Sequence, residues 1–304
     1  MNGIIVIDKP PRFTSFDVVA VMRGLFGTKK VGHTGTLDPM ATGVLPILIG
    51  SATKAQDLTP DSGKEYVAGF RLGVVTDTED STGTVKETFP VTADEKALES
   101  ALSHFRGEIL QVPPMYSAIQ KNGVRLYDLA RKGIEVEREA RPVTIHELEL
   151  LEYRQETGEG SIRVRCSKGT YVRTLCADLG KRLGCGGIMT SLRRTAACGY
   201  TIKDSIPLDE AKSLKAEGVL EQRLRPVDSL FLEYRPLKVT GPQAKRFQNG
   251  GALALERTGV KKRGGWREHS GIRPGWDFFG PGSGAPGKKR TFDLKLFKVY
   301  QVNE

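Results

Sequence analysis

The 304-residue sequence predicts an α+β fold built on a mixed sheet. Two observations lead there. Strand-like apolar runs and helical patterns with their own start and stop signals follow one another irregularly, not in the alternation of a doubly wound parallel sheet. No repeat of the period used by solenoids or propellers is visible.

Residues 3–8 read as a buried strand, because Ile4-Ile5-Val6-Ile7 is an unbroken apolar run. A helix follows: Thr14 and Asp17 suit a capping box, Val18, Val21, Met22, Leu25 and Phe26 share one face, and Gly27 is the stop. The stretch after Val31 is dense in Gly and Thr and reads as a tight loop. Val44 to Ile49 returns to a strand, with Pro46 suggesting an edge or a bulge. Tyr66 to Val75 is a further strand. Thr92 and Glu95 suggest a second capping box, above Leu98, Ala101, Leu102 and Phe105 and stopped by Gly107. Residues 108–142 are mixed, with Pro113-Pro114 and a short helical stretch at Leu126 to Ala130. Strands are expected at 143–153 and 161–167, the second alternating Ile162, Val164 and Cys166 against Arg163 and Arg165. A helix from Val172 to Leu183 and a strand from Met189 to Ile202 come next. Arg225-Pro226 and Arg235-Pro236 break the pattern, which places a domain boundary near 226–236.

Hydrophobic content of 38% with 27% charged residues describes a soluble globular chain. The apolar run at residues 4–7 is far too short for a membrane span or a signal-peptide core, so a cytoplasmic location is expected. Cys166, Cys176, Cys185 and Cys198 form no Cys-x-x-Cys pair and have no His at ligand spacing; reduced, partly buried thiols are expected, and no metal. The formal charge of +10 invites a nucleic-acid reading, but residues 258–291 hold eight Lys/Arg against two Asp/Glu, leaving only +4 for the rest.

Two segments carry candidate chemistry. In Gly32-His33-Thr34-Gly35-Thr36-Leu37-Asp38-Pro39-Met40-Ala41-Thr42-Gly43 a carboxylate stands between Leu37 and Pro39, on a loop whose glycines permit unusual backbone angles. A rigidly presented acid suits a nucleophile or base; an Asp bonding its own turn is the plain alternative. In Ser167-Lys168-Gly169-Thr170-Tyr171-Val172-Arg173-Thr174 a turn is followed by an aromatic and an Arg suited to a phosphate or a carboxylate; a solvated Arg is the alternative. Taken singly, Tyr66 is a strand residue packing on the core, and Leu192-Arg193-Arg194 a core Leu beside two exposed cations.

Together these segments resemble the TruB family of pseudouridine synthases over about residues 1–230. The resemblance rests on Asp8-Lys9-Pro10, the 32–43 loop, Lys64-x-Tyr66, Pro114-Met115-Tyr116-Ser117-Ala118, Ser167 to Thr174, and Leu192-Arg193-Arg194, in the family's order and at similar spacing. It implies a mixed-sheet catalytic domain at 1–232, with a thumb at about 111–142 that closes on RNA. It implies isomerisation of uridine 55 in the T-loop of tRNA, without a cofactor, by an enzyme expected to be a monomer. Asp38 matches the essential aspartate, Arg173 its paired arginine, and Tyr66 the tyrosine that stacks on the uracil and takes the C5 proton. Among substrate-binding positions, Tyr171 and Leu192 match walls of the uracil pocket, His33 the residue wedged into the T-loop, and Lys9 a lysine near the site. The carboxylate would assist glycosidic cleavage through a covalent sugar adduct or a glycal. Competing expectations are a tRNA-folding chaperone and a guide-RNA-dependent relative acting on ribosomal RNA; the long thumb speaks against the latter.

The resemblance also implies a small β-rich, PUA-like module at 233–304. Residues 237–256 and Asp293 to Tyr300 suit its ends. Residues 258–291 depart from the pattern, with nine of the 35 glycines and both tryptophans. The module is therefore expected to be disrupted, by a stretch translated out of frame or by a natural basic insert.

Overall fold

The computed structural model describes residues 1–60, 63–232 and 240–248. The chain runs β1 (Gly3–Lys9), α1 (Ser15–Phe26), β2 (Val31–His33), β3 (Thr42–Ile49), a 3-10 segment (Gly50–Leu58), β4 (Lys64–Leu72), β5 (Val74–Thr76), β6 (Val85–Thr88), α2 (Glu95–Ser103) and β7 (Gly107–Gln111). It continues through β8 (Gln120–Lys121), β9 (Val124–Arg125), α3 (Leu126–Ala130), β10 (Arg141–Arg154), β11 (Glu159–Cys166), α4 (Val172–Arg182), β12 (Gly187–Ala197), β13 (Tyr200–Thr201), β14 (Ile206–Pro207) and α5 (Leu208–Ala216). The expected PUA-like module, including the atypical 258–291 stretch, lies outside the described residues except for a helix at Gly241–Gln248.

Ten strands form one mixed sheet in the order β14-β1-β3-β12-β4-β11-β10-β7, with β2 also on β3 and β13 on β12. The β1–β14 and β3–β12 pairs are parallel and the others antiparallel. One apolar core packs α2 and α4 onto β4, β11 and β12 through Leu98, Leu102, Leu175, Leu179, Phe70 and Val164. A second packs α1 and α5 onto β1 and β3. A third covers the opposite side of β1 and β3, through Ile4, Val6, Val44 and Leu48. This two-sided burial is why β1 reads as an unbroken apolar run; each such side chain contributes about 1.5–3 kcal/mol.

The other side of the β12-β4-β11-β10 region is polar. Arg193 faces Val67 and Val67 faces Arg163, while Arg165 pairs with Glu65 in register. Across to β10, Arg163 bonds Glu149 at 2.7 Å and Arg165 bonds Glu147 at 3.0 Å. Arg193 reaches back to Asp8 at 2.8 Å.

Several expectations are corrected. The start of α2 is capped by Asp94, whose carboxylate accepts from Ala97 N, and not by Thr92. Gly107 does not stop that helix, which ends at Ser103; in left-handed backbone it turns the chain into β7, an unforeseen strand. The expected strand from Met189 to Ile202 is broken by a turn at Cys198-Gly199, both at positive φ. Residues 31–33 are a short strand, not loop.

Pro46 lies in the interior of the sheet, not at its edge. It opposes Val6 of β1, and its carbonyl accepts from Thr34 N on the other side. A strand residue points its N–H and C=O the same way, so the missing N–H of Pro46 faces the gap between β2 and β12, where no ladder acceptor waits.

That gap exists because β3 and β12 meet only at Thr42↔Arg193 and Gly43↔Arg194. Gly43 has φ 104°, and a Cβ there would overlap the Arg194 carbonyl. Gly43→Ala is therefore expected to destabilise the protein by on the order of 3 kcal/mol, read from the urea midpoint at unchanged m.

Candidate active site

The loop carrying Asp38 joins β2 to β3 and is held by side chains beneath it. Ser15, 2% exposed on α1, accepts from Leu37 N at 2.8 Å and donates to Leu37 O. Pro39 O accepts from Arg12 N at 2.8 Å and from Lys9 Nζ at 3.3 Å. Arg194, 1% exposed, donates to Gly35 O at 3.1 Å, Thr36 O at 3.4 Å and Val44 O at 2.7 Å. Asp38 thus stands between two pinned neighbours. Of the glycines expected to supply unusual angles here, Gly43 alone has positive φ. Gly32 and Gly35 serve close approach: a Cβ on either would crowd Gln56 or Lys64.

Asp38 keeps 35% of its side-chain surface open and meets Arg173 through Oδ2 and Nε at 3.0 Å. Arg173 lies in the first turn of α4 and is buried. Its Nη1 donates to Thr78 O at 3.2 Å and faces Asp80 Oδ2 at 3.5 Å, while Nη2 donates to Tyr116 O at 2.9 Å. Asp80 is itself oriented, its Oδ1 accepting from Thr78 Oγ1, Thr82 N and Thr82 Oγ1. Burial raises the pKa of Asp38; Arg173 opposes that rise, Asp80 adds to it, and Lys9 opposes it.

The other expected site residues divide into two groups. Tyr66, on β4, is 6% exposed and belongs to the same apolar core as Leu37, Ala41, Val172 and Leu192, the last 9% exposed on β12. Burial raises its pKa, against the neighbouring Arg194 cation, which lowers it. Tyr171 caps the start of α4, its backbone gripped by Gln111, which donates to its carbonyl at 3.1 Å and accepts from its N–H at 2.8 Å. Asp38 is close enough to bear on the titration of Tyr66, Tyr171 and Lys9. The second group lies beside and beneath the loop. His33 ends β2; burial lowers its pKa, and the positive charge of Arg194 adds to the fall. Lys9 is fully buried beneath the loop, donating to Pro10 O, Phe13 O and Pro39 O, and burial lowers its pKa to about 8. Its three donors are engaged by carbonyls, so it anchors the Asp38 loop from below.

Sequence reasoning missed Arg194, Asp80 and Gln111. Reading Arg193 and Arg194 as two exposed cations fails for the second. Strand parity carries the signal: Arg194 shares the core face with Leu192, two residues before it. Nothing local marks Asp80 as a partner of Arg173. Among the described residues no cluster of His, Cys, Asp and Glu could hold a metal, no helix is long and apolar enough to cross a membrane, and the four cysteines are buried thiols outside any disulfide.

Comparison with known proteins places this geometry. Residues 23–172 match the N-terminal domain of the TruB family pseudouridylate synthases, and residues 173–232 the tRNA pseudouridylate synthase B C-terminal domain. The chain is 45% identical over 253 residues to the tRNA pseudouridine synthase B of Azoarcus sp. (strain BH72), covering 83% of each. It is 46% identical over 258 residues to that of Saccharophagus degradans, covering 83% of this chain and 82% of the relative. Among solved structures, a Cbf5-Nop10-Gar1 complex matches with a TM-score of 0.66 at 27% identity, over 84% of this chain and 69% of that one. An H/ACA RNP bound to a substrate RNA containing 2'-deoxyuridine matches with a TM-score of 0.63 at 25% identity, over 83% and 68%. By its sequence, by the order of its elements and by the loop that presents Asp38, the chain belongs to the TruB family of pseudouridine synthases.

Proposed function

We propose that this protein isomerises uridine 55 in the T-loop of tRNA to pseudouridine, as a cytoplasmic monomer that needs no cofactor, with Asp38 as the catalytic carboxylate. The observation that carries this reading is the 3.0 Å pair between Asp38 and Arg173 beside Tyr66, in a chain of this family. The reaction breaks N1–C1′, turns the uracil and joins C5 to C1′. No electron or group enters or leaves, so the work falls to acid–base and electrostatic groups already in the site.

Asp38 assists cleavage in its ionised form, which Arg173 favours against the burial that opposes it. Lys9 and Arg194 act by holding the loop. The target base has to leave its stack, which costs a few kcal/mol, and stacking on Tyr66 returns about 1–3 kcal/mol. Tyr66 and Leu192 expose little surface, so the base has to displace neighbouring side chains to reach them. Once C5 is joined, Tyr66 relays its proton, the phenol oxygen accepting it as the hydroxyl releases its own, and N1 gains a proton in exchange. Tyr171 and Leu192 flank the uracil, and His33 fills the place the base leaves. Lys and Arg contacts to phosphate add affinity.

The thumb supports a stand-alone enzyme over a guided one. Residues 111–142 leave and rejoin the sheet at the Gln111↔Arg141 pair, and between these ends hold the β8–β9 hairpin and α3. Their base also carries Tyr116, whose carbonyl Arg173 binds. A binding-only chaperone would have no need of the Asp38–Arg173 pair.

Asp38→Ala is expected to bind an unmodified T-arm stem-loop and to form no pseudouridine; product above background from the pure variant would remove Asp38 from the chemistry. Tyr66→Phe keeps the stacking surface and is expected to bind near wild type with little finished product. Normal turnover by Tyr66→Phe would reduce Tyr66 to a platform. The third expectation concerns pH. The rate falls as pH drops through the pKa of Asp38, which burial holds above the ordinary aspartate range. Arg173→Gln removes the cation that opposes this rise, so the acid limb of the single-turnover rate moves to higher pH. A limb that stays in place in a folded Arg173→Gln enzyme contradicts the pairing.

A further inference from the structure

The turn that offers Thr78 and Asp80 to Arg173 contains another acid, with no part in the chemistry described. Glu79 sits between them in left-handed backbone, φ 63°, where a non-glycine residue is held at a cost of about 1 kcal/mol or more. Its backbone carbonyl accepts from Met189 N at 3.0 Å, which ties the turn to β12. Its side chain turns onto α4 and accepts a hydrogen bond from Thr174 Oγ1 at 2.6 Å. Thr174 is 4% exposed and follows Arg173 directly. Burial raises the pKa of the Glu79 carboxyl. A strained backbone and a half-buried acid both weigh against stability, and together they mark a residue kept for its effect on a neighbour.

The helix that receives this side chain shows what the effect is. Tyr171, at the N-cap of α4, makes no side-chain cap hydrogen bond, and the first turn has no acidic residue of its own. Its own segment therefore leaves the positive end of the helix without an anion. Glu79 brings one from far away in sequence. The other charged groups bearing on its carboxyl are Arg173 and Asp178 on α4 and Arg138 from the thumb. Cys176 of α4 is pushed up to about 12 and stays a neutral thiol.

We propose that Glu79 is a positioning residue for the isomerisation: through the Thr174 hydroxyl it fixes the first turn of α4, and with it the angle at which Arg173 meets Asp38. This role rests on Asp38 and Arg173 being the catalytic pair.

Steady-state kinetics of the full chain on an unmodified T-arm stem-loop provide the test. Glu79→Gly removes the carboxylate and also relieves the left-handed backbone, so it is expected to melt at or above the wild-type temperature. Its kcat is expected to fall about tenfold with KM unchanged, because misplacement is felt in the transition state and not in binding. Thr174→Val cuts the same hydrogen bond from the other side and should lose as much, and the double variant no more than either single one. Glu79→Gln still accepts from Thr174 and loses only the charge, so it should keep more of the rate than Glu79→Gly. A folded Glu79→Gly enzyme with wild-type kcat overturns the role, as do single losses that multiply in the double variant. Absence of pseudouridine from the wild-type control is a different failure: it overturns the assigned reaction, and the role of Glu79 with it.

Discussion

A guanidinium taken out of water needs partners for its N–H groups, and Arg173 finds them on three stretches far apart in sequence: Asp38, the Thr78 to Asp80 turn, and Tyr116 at the base of the thumb. Leaving a buried cation short of partners costs several kcal/mol, so these segments and the first turn of α4 have to settle together. The site is therefore assembled by the same event that completes the fold around α4. Arg173 also fixes the direction of one Asp38 oxygen, while about a third of that side chain stays open to a substrate.

A second cation has the matching task in the sheet. Where β3 and β12 part after two residue pairs, the freed carbonyl of Val44 and those of Gly35 and Thr36 in the loop above all accept from Arg194. Lys9 does the same for Pro10, Phe13 and Pro39. A loop of irregular backbone can lie against the core only because buried groups satisfy it, and besides the Ser15 hydroxyl two of those groups are cations. The acid at its centre is held in a positive surrounding as a consequence.

The main elements were legible because their periodicity and caps are local. The Thr14–Asp17 box is formed, with Asp17 N on the Thr14 hydroxyl and Thr14 N on the Asp17 carboxylate, and Gly27 closes α1 in left-handed backbone. Short strands such as β2 and β14 exist only because a neighbour offers a ladder, and two or three residues carry no period of their own. For the site, the 32–43 loop and the Ser167 to Thr174 segment stood out through their unusual composition and their resemblance to a family. Asp80 and Gln111 did not, because each acts through a partner reached only by folding. Arg194 lay within reach of parity reasoning, but a charged residue after another charged residue invites the solvated reading.

The ion pairs that cross the polar side of the sheet have an effect beyond stability. Arg163 and Arg165 each face a carboxylate on β10, and Arg193 faces Asp8, so every cation in this ladder is cancelled within about one side-chain length. Seen from a Debye length away, each such pair is close to silent. A polyanion diffusing toward the protein feels little pull there, and encounters are biased toward whichever sides keep uncancelled charge. The ladder thus lends the sheet polarity with little net field of its own, which leaves the long-range charge of the protein to other residues.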